Sequence, residues 1–416
     1  HTEATVKGPE GEFKIAKGAP QVILGMSSNK EEIRQNVEEK VNSMASKGYR
    51  ALGVCVEEEG KYRFAGLFGL YDPPHEDSAK TIKTANSLNV DVKMVTGDHL
   101  AIAKEIASQV GLGTKIVTAD DFVEKSDSEA QEIVEKADGF SQVFPEHKYR
   151  IVELLQKKEH IVGMTGDGVN DVPALKMADA GIAVAGATDA AKSAADIVFT
   201  ISGLSTIINA IKESRKIFQR MKSYSIYRIA ETVRVLFFIA TSIIVFNFYP
   251  VTAIMIVLLA ILNDAPIMAI AYDNVKYSLM PEKWNMREVL RMSTFLGIVG
   301  VVFSFAIYYI GARVLYLSPG VLQSFIFLKL AIAGHLTIFV ARNRGHFWSP
   351  PPGKLLFWAA VVTKVLATLV AVYGFYISPI GWKLAGFVWI YALVAFVITD
   401  FMKVKLYEIM DRRRWF

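Results

Sequence analysis

From residue 226 onward the chain carries six apolar stretches, at 226–246, 251–271, 294–315, 321–340, 356–376 and 384–401. Each is close to the ~20 residues a helix needs to cross about 30 Å of hydrocarbon. Lipid offers no partner to backbone N–H and C=O groups, so such segments must be helical. Half of the molecule is thereby restricted to a six-helix membrane bundle. An even number of spans returns the chain to the side from which it entered, and positive charge selects that side. Lys276, Lys283, Arg287 and Arg291 follow the second span, and Arg342, Arg344 and Lys354 follow the fourth. Lys403, Lys405, Arg412, Arg413 and Arg414 follow the sixth. The intervening turns, at 247–250, 317–320 and 377–381, are short. The soluble half and the C-terminus are therefore expected in the cytoplasm. The net charge of +5 sits largely in these loops, which argues for membrane topology and against a nucleic-acid partner. A lone cysteine, Cys55, rules out an intrachain disulfide.

Up to about residue 222 charged helices alternate with short apolar strands. The alternation at 89–95 predicts a strand running into Thr96-Gly97-Asp98, with a helix over 99–110. A helix over 149–158, a strand at 161–164 ending in Thr165-Gly166-Asp167-Gly168-Val169-Asn170-Asp171, and a small-residue strand at 180–185 complete the pattern. This predicts one parallel sheet with right-handed crossovers and both Thr-Gly-Asp turns on its carboxyl edge, where open α/β sheets bind ligands. Asp167 and Asp171, four residues apart with little steric bulk between them, suit magnesium beside a phosphate. Residues 1–65 read as a separate lobe, 66–205 as the sheet domain and 206–416 as a stalk and membrane domain, with Asp72-Pro73-Pro74 as a stiff joint. A basic amphipathic helix over 204–222 is expected to run unbroken into the first span.

Ionisable groups inside spans cost ~2.5–3.5 kcal/mol each at the centre and mark function or pairing. Asp264 lies mid-span after Asn263 and before Pro266, and Arg234 lies in the preceding span. Glu231 shares a helix face with Arg234. It reads either as a neutralising partner or as a second ion ligand. Lys329, His335 and Lys364 also fall in spans, and none is assigned to an ion path.

Lys17-Gly18-Ala19-Pro20, Asp72-Pro73-Pro74, Met94-Val95-Thr96-Gly97-Asp98, Phe144-Pro145-Glu146-His147-Lys148, Met164 to Asp171 and Ala178 to Val184 form an ordered set. It resembles the signature of P-type ATPases over nearly the whole chain. Ala260-Ile261-Leu262-Asn263-Asp264 and Val388-Trp389-Ile390-Tyr391 make the likeness closest to plasma-membrane proton pumps. The resemblance implies a haloacid-dehalogenase-like phosphorylation domain, the rear of a nucleotide-binding lobe and a six-helix transmembrane bundle. It implies ATP as substrate and Mg2+ held by Asp167 and Asp171. Thr96, Gly97 and Asn170 would contact the phosphoryl group, and Lys148 would neutralise it. Asp98 belongs to the same turn and, like Asp179, is expected to cap a helix. Lys17 and Arg50 would hold the nucleotide, near the adenine and the phosphates respectively. Asp264 would accept the proton and Arg234 would be its positive partner, with Asn263 beside them; Glu231 departs from the pattern, since no acid is expected there in these pumps, and as a second ion ligand it would argue against proton-only transport. The D-K-T-G-T motif that carries the family's nucleophile is absent. The chain, which starts at His1, therefore reads as a C-terminal portion, inactive without the missing N-terminal part. A pump for another cation, a membrane-tethered phosphatase of the same superfamily, and a non-enzymatic anchor are the alternatives.

Overall fold

The computed structural model describes residues 1–8, 11–58 and 60–412; Arg413 and Arg414 lie outside them. The chain forms two compact units, His1–Ala210 and Ile211–Phe416.

The first unit opens with an antiparallel sheet in the order β1 (Thr2–Gly8), β2 (Gly11–Gly18), β3 (Arg50–Glu58), β4 (Lys61–Leu70). Helices α1 (Pro20–Met26) and α2 (Lys30–Ala45) separate β2 from β3. Ala16, Ile23 and Cys55 are fully buried at its core. The β3–β4 ladder runs from Glu58↔Lys61 to Arg50↔Leu70, so the expected lobe edge at 65 falls inside a paired strand. The sheet gives way at Asp72-Pro73-Pro74, since proline has no N–H to extend a ladder.

After α3 (Ser78–Ser87) come β5 (Met94–Val95), α4 (Leu100–Val110), β6 (Ile116–Thr118), α5 (Asp120–Val123), α6 (Asp127–Lys136) and β7 (Gly139–Ser141). Then follow α7 (Pro145–Lys157), β8 (Gly163–Gly166), α8 (Val172–Met177), β9 (Ala180–Ala183), α9 (Asp189–Ala194) and β10 (Ile197–Val198). These strands pair in parallel, but as two sheets, β5-β7-β6 and β10-β9-β8, and not the single sheet expected. No ladder joins β5 to β8 among the described residues. Both Thr-Gly-Asp turns thus follow edge strands, one in each sheet. Phe122, Phe140, Ile151 and Leu154 fill the core beside the first sheet, and Leu175, Ala183, Ala187 and Ala191 that beside the second. Asp77 accepts a hydrogen bond from the Ser205 N–H at 3.2 Å. Hydrogen bonding from Ser205 holds the Asp77 carboxyl below the usual carboxylate range.

All six expected spans are helices: α10 (Ser205–Phe246), α11 (Ala253–Ala269), α12 (Met286–Tyr309), α13 (Pro319–Ala341), α14 (Lys354–Tyr373) and α15 (Gly381–Arg412). Helix α10 joins the amphipathic segment to the first span without a break. Arg287 and Arg291 sit in the first turns of α12, inside the helix. The apolar window of α13 is 83% buried, against 28–44% for the others. A helix apolar on every side belongs at the centre of a bundle, so α13 is its hub and the polar side chains on it must face protein. The charged loops gather at one end. Arg342 pairs with Asp273 at 2.7 Å, Glu288 with Lys222 and Arg344 at 2.9 Å each, and Asp400 with Lys403 and His346 at 2.8 Å each. Short turns gather at the other end, where Gln323 Nε2 donates to the Tyr249 carbonyl at 2.8 Å.

Candidate functional site

The turn after β5 closes on itself. The Thr96 hydroxyl donates to Asp98 Oδ2 and accepts the Asp98 N–H, both at 3.1 Å. The Val143 N–H donates to the Thr96 carbonyl at 3.1 Å and the Gln142 N–H to the Asp98 carbonyl at 3.0 Å. These bonds hold the turn against the segment leading into α7. Pro145 pre-sets the first turn of that helix, and the Phe144 N–H donates to His147 Nδ1 at 3.3 Å. Lys148 leaves this same first turn, and its Nζ donates to Asp171 Oδ1 at 2.6 Å. One short helix start therefore connects the Thr96 turn of one sheet to the Asp171 turn of the other.

Asp171 is buried, and its second oxygen accepts the N–H groups of Asp167 and Gly168 at 3.2 and 3.3 Å. A Cβ on Gly166 would lie 2.5 Å from the Asp171 Cβ, so glycine is what lets this carboxylate fold back over the turn. Asp167 and Asn170 are exposed, and among the described residues their side chains have no partner. Two carboxylates four residues apart thus differ in state, one fully engaged and the other open. No cluster of three or more His, Cys, Asp or Glu side chains occurs among the described residues. The donors present therefore fit a hard cation that keeps waters and takes phosphate oxygens, as magnesium does. They do not fit an ion that needs a complete protein cage.

Arg50 Nη2 lies 3.2 Å from Asp98 Oδ1. Both groups are well exposed, so the pair adds little stability, but it brings Arg50 to the Thr96 turn. Lys17, exposed on β2, stands opposite Val54 of β3. Lys17 and Arg50 therefore share one sheet face, about 13 Å apart at ~3.3 Å per residue. Neither Asp98 nor Asp179 caps a helix as expected. His99 caps α4, with its ring accepting the Ala101 N–H at 3.4 Å. Asp179 accepts the Val162 N–H at 2.8 Å and Gln156 Nε2 at 3.1 Å, tying α7 to the entry of β8.

In the membrane unit Glu231 and Arg234 form an ion pair within α10. Arg234 also donates to the Thr337 hydroxyl at 3.4 Å and the Leu330 carbonyl at 3.5 Å, both on α13. A Cβ on Gly334 would meet Arg234 Nη2, Glu231 Oε1 and Asn263 Oδ1 at 3.2, 3.4 and 3.6 Å, so these atoms from α10 and α11 converge over its bare face. Asn263 is buried there, whereas Asp264 is exposed. Successive helix residues point ~100° apart, so the two neighbours cannot face the same way. Arg234 takes Glu231 as its ionic partner in place of the expected Asp264. Among the described residues, buried Arg234 Nε, Asn263 Oδ1 and Tyr227 OH lack hydrogen-bond partners. The sequence reading left Lys329 out of this region, yet its ammonium is buried in the same interior and donates to the Ser304 hydroxyl of α12. A lysine in the middle of an apolar hub helix was the signal available.

Residues 13–179 match the haloacid dehalogenase-like hydrolase family. A putative cation-transporting ATPase of Methanocaldococcus jannaschii is 55% identical over 412 residues, covering 97% of this chain and 51% of that protein. A probable plasma membrane ATPase of Dictyostelium discoideum is 43% identical over 436 residues, covering 96% of this chain and 41% of that protein. The chain spans about half the length of these relatives or less. Fold, turns and relatives agree on a multi-pass membrane protein with a haloacid dehalogenase-like domain, similar over nearly its whole length to a cation-transporting ATPase and a plasma membrane ATPase.

Proposed function

We propose that the chain is the C-terminal portion of a P-type ATPase that exports protons across the plasma membrane through an aspartyl-phosphate intermediate. The observation that carries this reading is the Lys148–Asp171 pair beside an open Asp167, on a chain that also holds an ionised membrane interior. Lys148 supplies a fixed cation where negative charge gathers on a transferring phosphoryl group. The Thr96 hydroxyl, the Gly97 amide and the Asn170 amide orient that group, and Asp98 holds the Thr96 turn in shape. Asp167 and Asp171 would hold Mg2+, which when bound spreads the phosphoryl charge. Lys17 and Arg50 share a face and a spacing that suit the two ends of ATP. The nucleophilic aspartate would come on a strand from the upstream part of the whole protein, beside β5 or β8, each of which has one unpaired edge among the described residues. Asp264 would load the proton on the exposed face of α11, covered by membrane helices from that same upstream part. Arg234, paired with Glu231 and turned toward α13, would hold positive charge in the interior behind that face. The soluble unit and the C-terminus would then be cytoplasmic.

Asp167→Ala in the full-length protein is expected to abolish phosphoenzyme formation from labelled ATP and magnesium. Normal phosphoenzyme levels would remove Asp167 from the metal role. Asp264→Asn is expected to stop acidification of inverted vesicles while phosphoenzyme still forms. A second reading, transport of another cation, is favoured by the buried carboxylate of Glu231 beside the unpartnered Asn263 Oδ1. Vesicle transport that follows sodium or potassium, and not the pH gradient, would select it.

A further inference from the structure

Helices α10, α12, α13 and α15 line a partly open cavity of about 40 Å³, with Arg234, Gly300, Lys329, Thr337, Phe396 and Thr399 among its walls. That is more than the ~10–15 Å³ a single water needs. Two of its walls carry basic side chains, Arg234 and Lys329. Lys329 is 1% exposed, and Ser304 is its hydrogen-bond partner. Arginine and lysine are donors without acceptors. One of the three ammonium protons of Lys329 goes to Ser304, and the buried Nε–H of Arg234 has no acceptor. Glu231 neutralises Arg234, and among the described residues no carboxylate pairs with Lys329. Lys364, the other interior lysine, stands over the rings of Phe339 and Trp389, at 5.5 and 6.0 Å. Lys329 thus borders this space with unused donors and, among the described residues, no carboxylate paired with it. A buried charge persists only when paired or neutralised.

We infer that this cavity binds a small monovalent anion of the halide class, chloride in the cell, which serves as the counter-ion of Lys329. The ion is a resident structural ligand, so the assignment is independent of which cation the protein moves. Binding to the folded state alone raises the melting temperature by mass action. The full-length protein in detergent is melted in sodium chloride, sodium bromide and sodium gluconate at equal ionic strength. Chloride and bromide should raise the midpoint by about 3 °C over gluconate, in a saturable manner. Lys329→Met should erase the difference between salts, and Lys329→Arg should keep it. Equilibrium binding of radiolabelled chloride to the unmodified protein should reach one ion per chain, a readout that does not depend on any variant folding. Equal melting of the unmodified protein in all three salts, a chloride effect that survives Lys329→Met, or no saturable chloride binding would overturn the assignment.

Discussion

Arg342 and Arg234 are both buried arginines in the same bundle, 1% and 3% exposed, yet their surroundings have little in common. At the loop end, Arg342 grips Asp273 with two parallel bonds of 2.7 and 3.1 Å. It spends its other donors on the carbonyls of Asn274, Phe347, Pro350 and Pro351. Asp273 in turn accepts the Gly353 N–H at 2.8 Å. Lys403 is treated in the same way, by Asp400 and the carbonyls of Val340 and Gly345. In mid-bundle, Arg234 has one carboxylate, two long bonds and an orphaned Nε, and several neighbouring atoms are orphans too. Complete satisfaction of a buried charge rigidifies the structure around it. Buried polar groups left without partners are rare and point to a bound occupant or a working role. The charges at the end of the bundle clamp loops, and those at its centre are available to an ion, a proton or water.

The largest effect expected from this contrast is at the clamp. Arg342→Met strands Asp273 in a buried place, and breaking one side of a buried pair costs about 3–5 kcal/mol. The variant should melt far below the unmodified protein or fail to assemble in the membrane. A loss under ~1 kcal/mol would mean that the clamp is not what holds the loops. Glu231→Gln should cost less, about 1–2 kcal/mol, because the glutamine oxygen still accepts from Arg234 and the cluster is already incompletely bonded. Its main effect should be on transport, read as a changed rate or ion preference in vesicles. If Glu231→Gln destabilises as much as Arg342→Met and leaves transport intact, the contrast fails.

Much of this was legible in the sequence, because the signals are local. Twenty apolar residues can only be a span, and all six spans appear, α10 running unbroken from the amphipathic segment. The turn from Thr165 to Asp171 announces two carboxylates at a strand end, and the fold puts them there. What depended on distant partners was not legible. The expected sheet splits because, among the described residues, no ladder joins β5 to β8, and no local pattern encodes which strands pair. The end of the first lobe was misplaced because pairing with β3 carries β4 past residue 65 until the proline pair. The sequence places both Asn263 and Asp264 on the ion path, but helix geometry turns one inward and the other outward. Lys329 could be flagged as unusual, but only the packing of α13 against α10 and α12 brings it to the same cavity as Arg234.

The smallest expected change in stability tests the contrast most finely. Gly334→Ala adds a methyl group 3.2 Å from Arg234 Nη2, 3.4 Å from Glu231 Oε1 and 3.6 Å from Asn263 Oδ1. Alanine favours the helix over glycine by about 0.8–1 kcal/mol, and the tightest contact is with the end of a long side chain that can move. These terms oppose each other, so the stability should stay within about 1 kcal/mol of the original. Transport should nevertheless fall, because the methyl group displaces the guanidinium from the place where atoms of α10 and α11 converge. Melting curves and vesicle transport measured on one preparation separate the cases. A large loss of stability would show that the centre is packed as tightly as the Arg342 clamp. Unchanged melting with unchanged transport would show that the convergence over Gly334 has no bearing on ion movement.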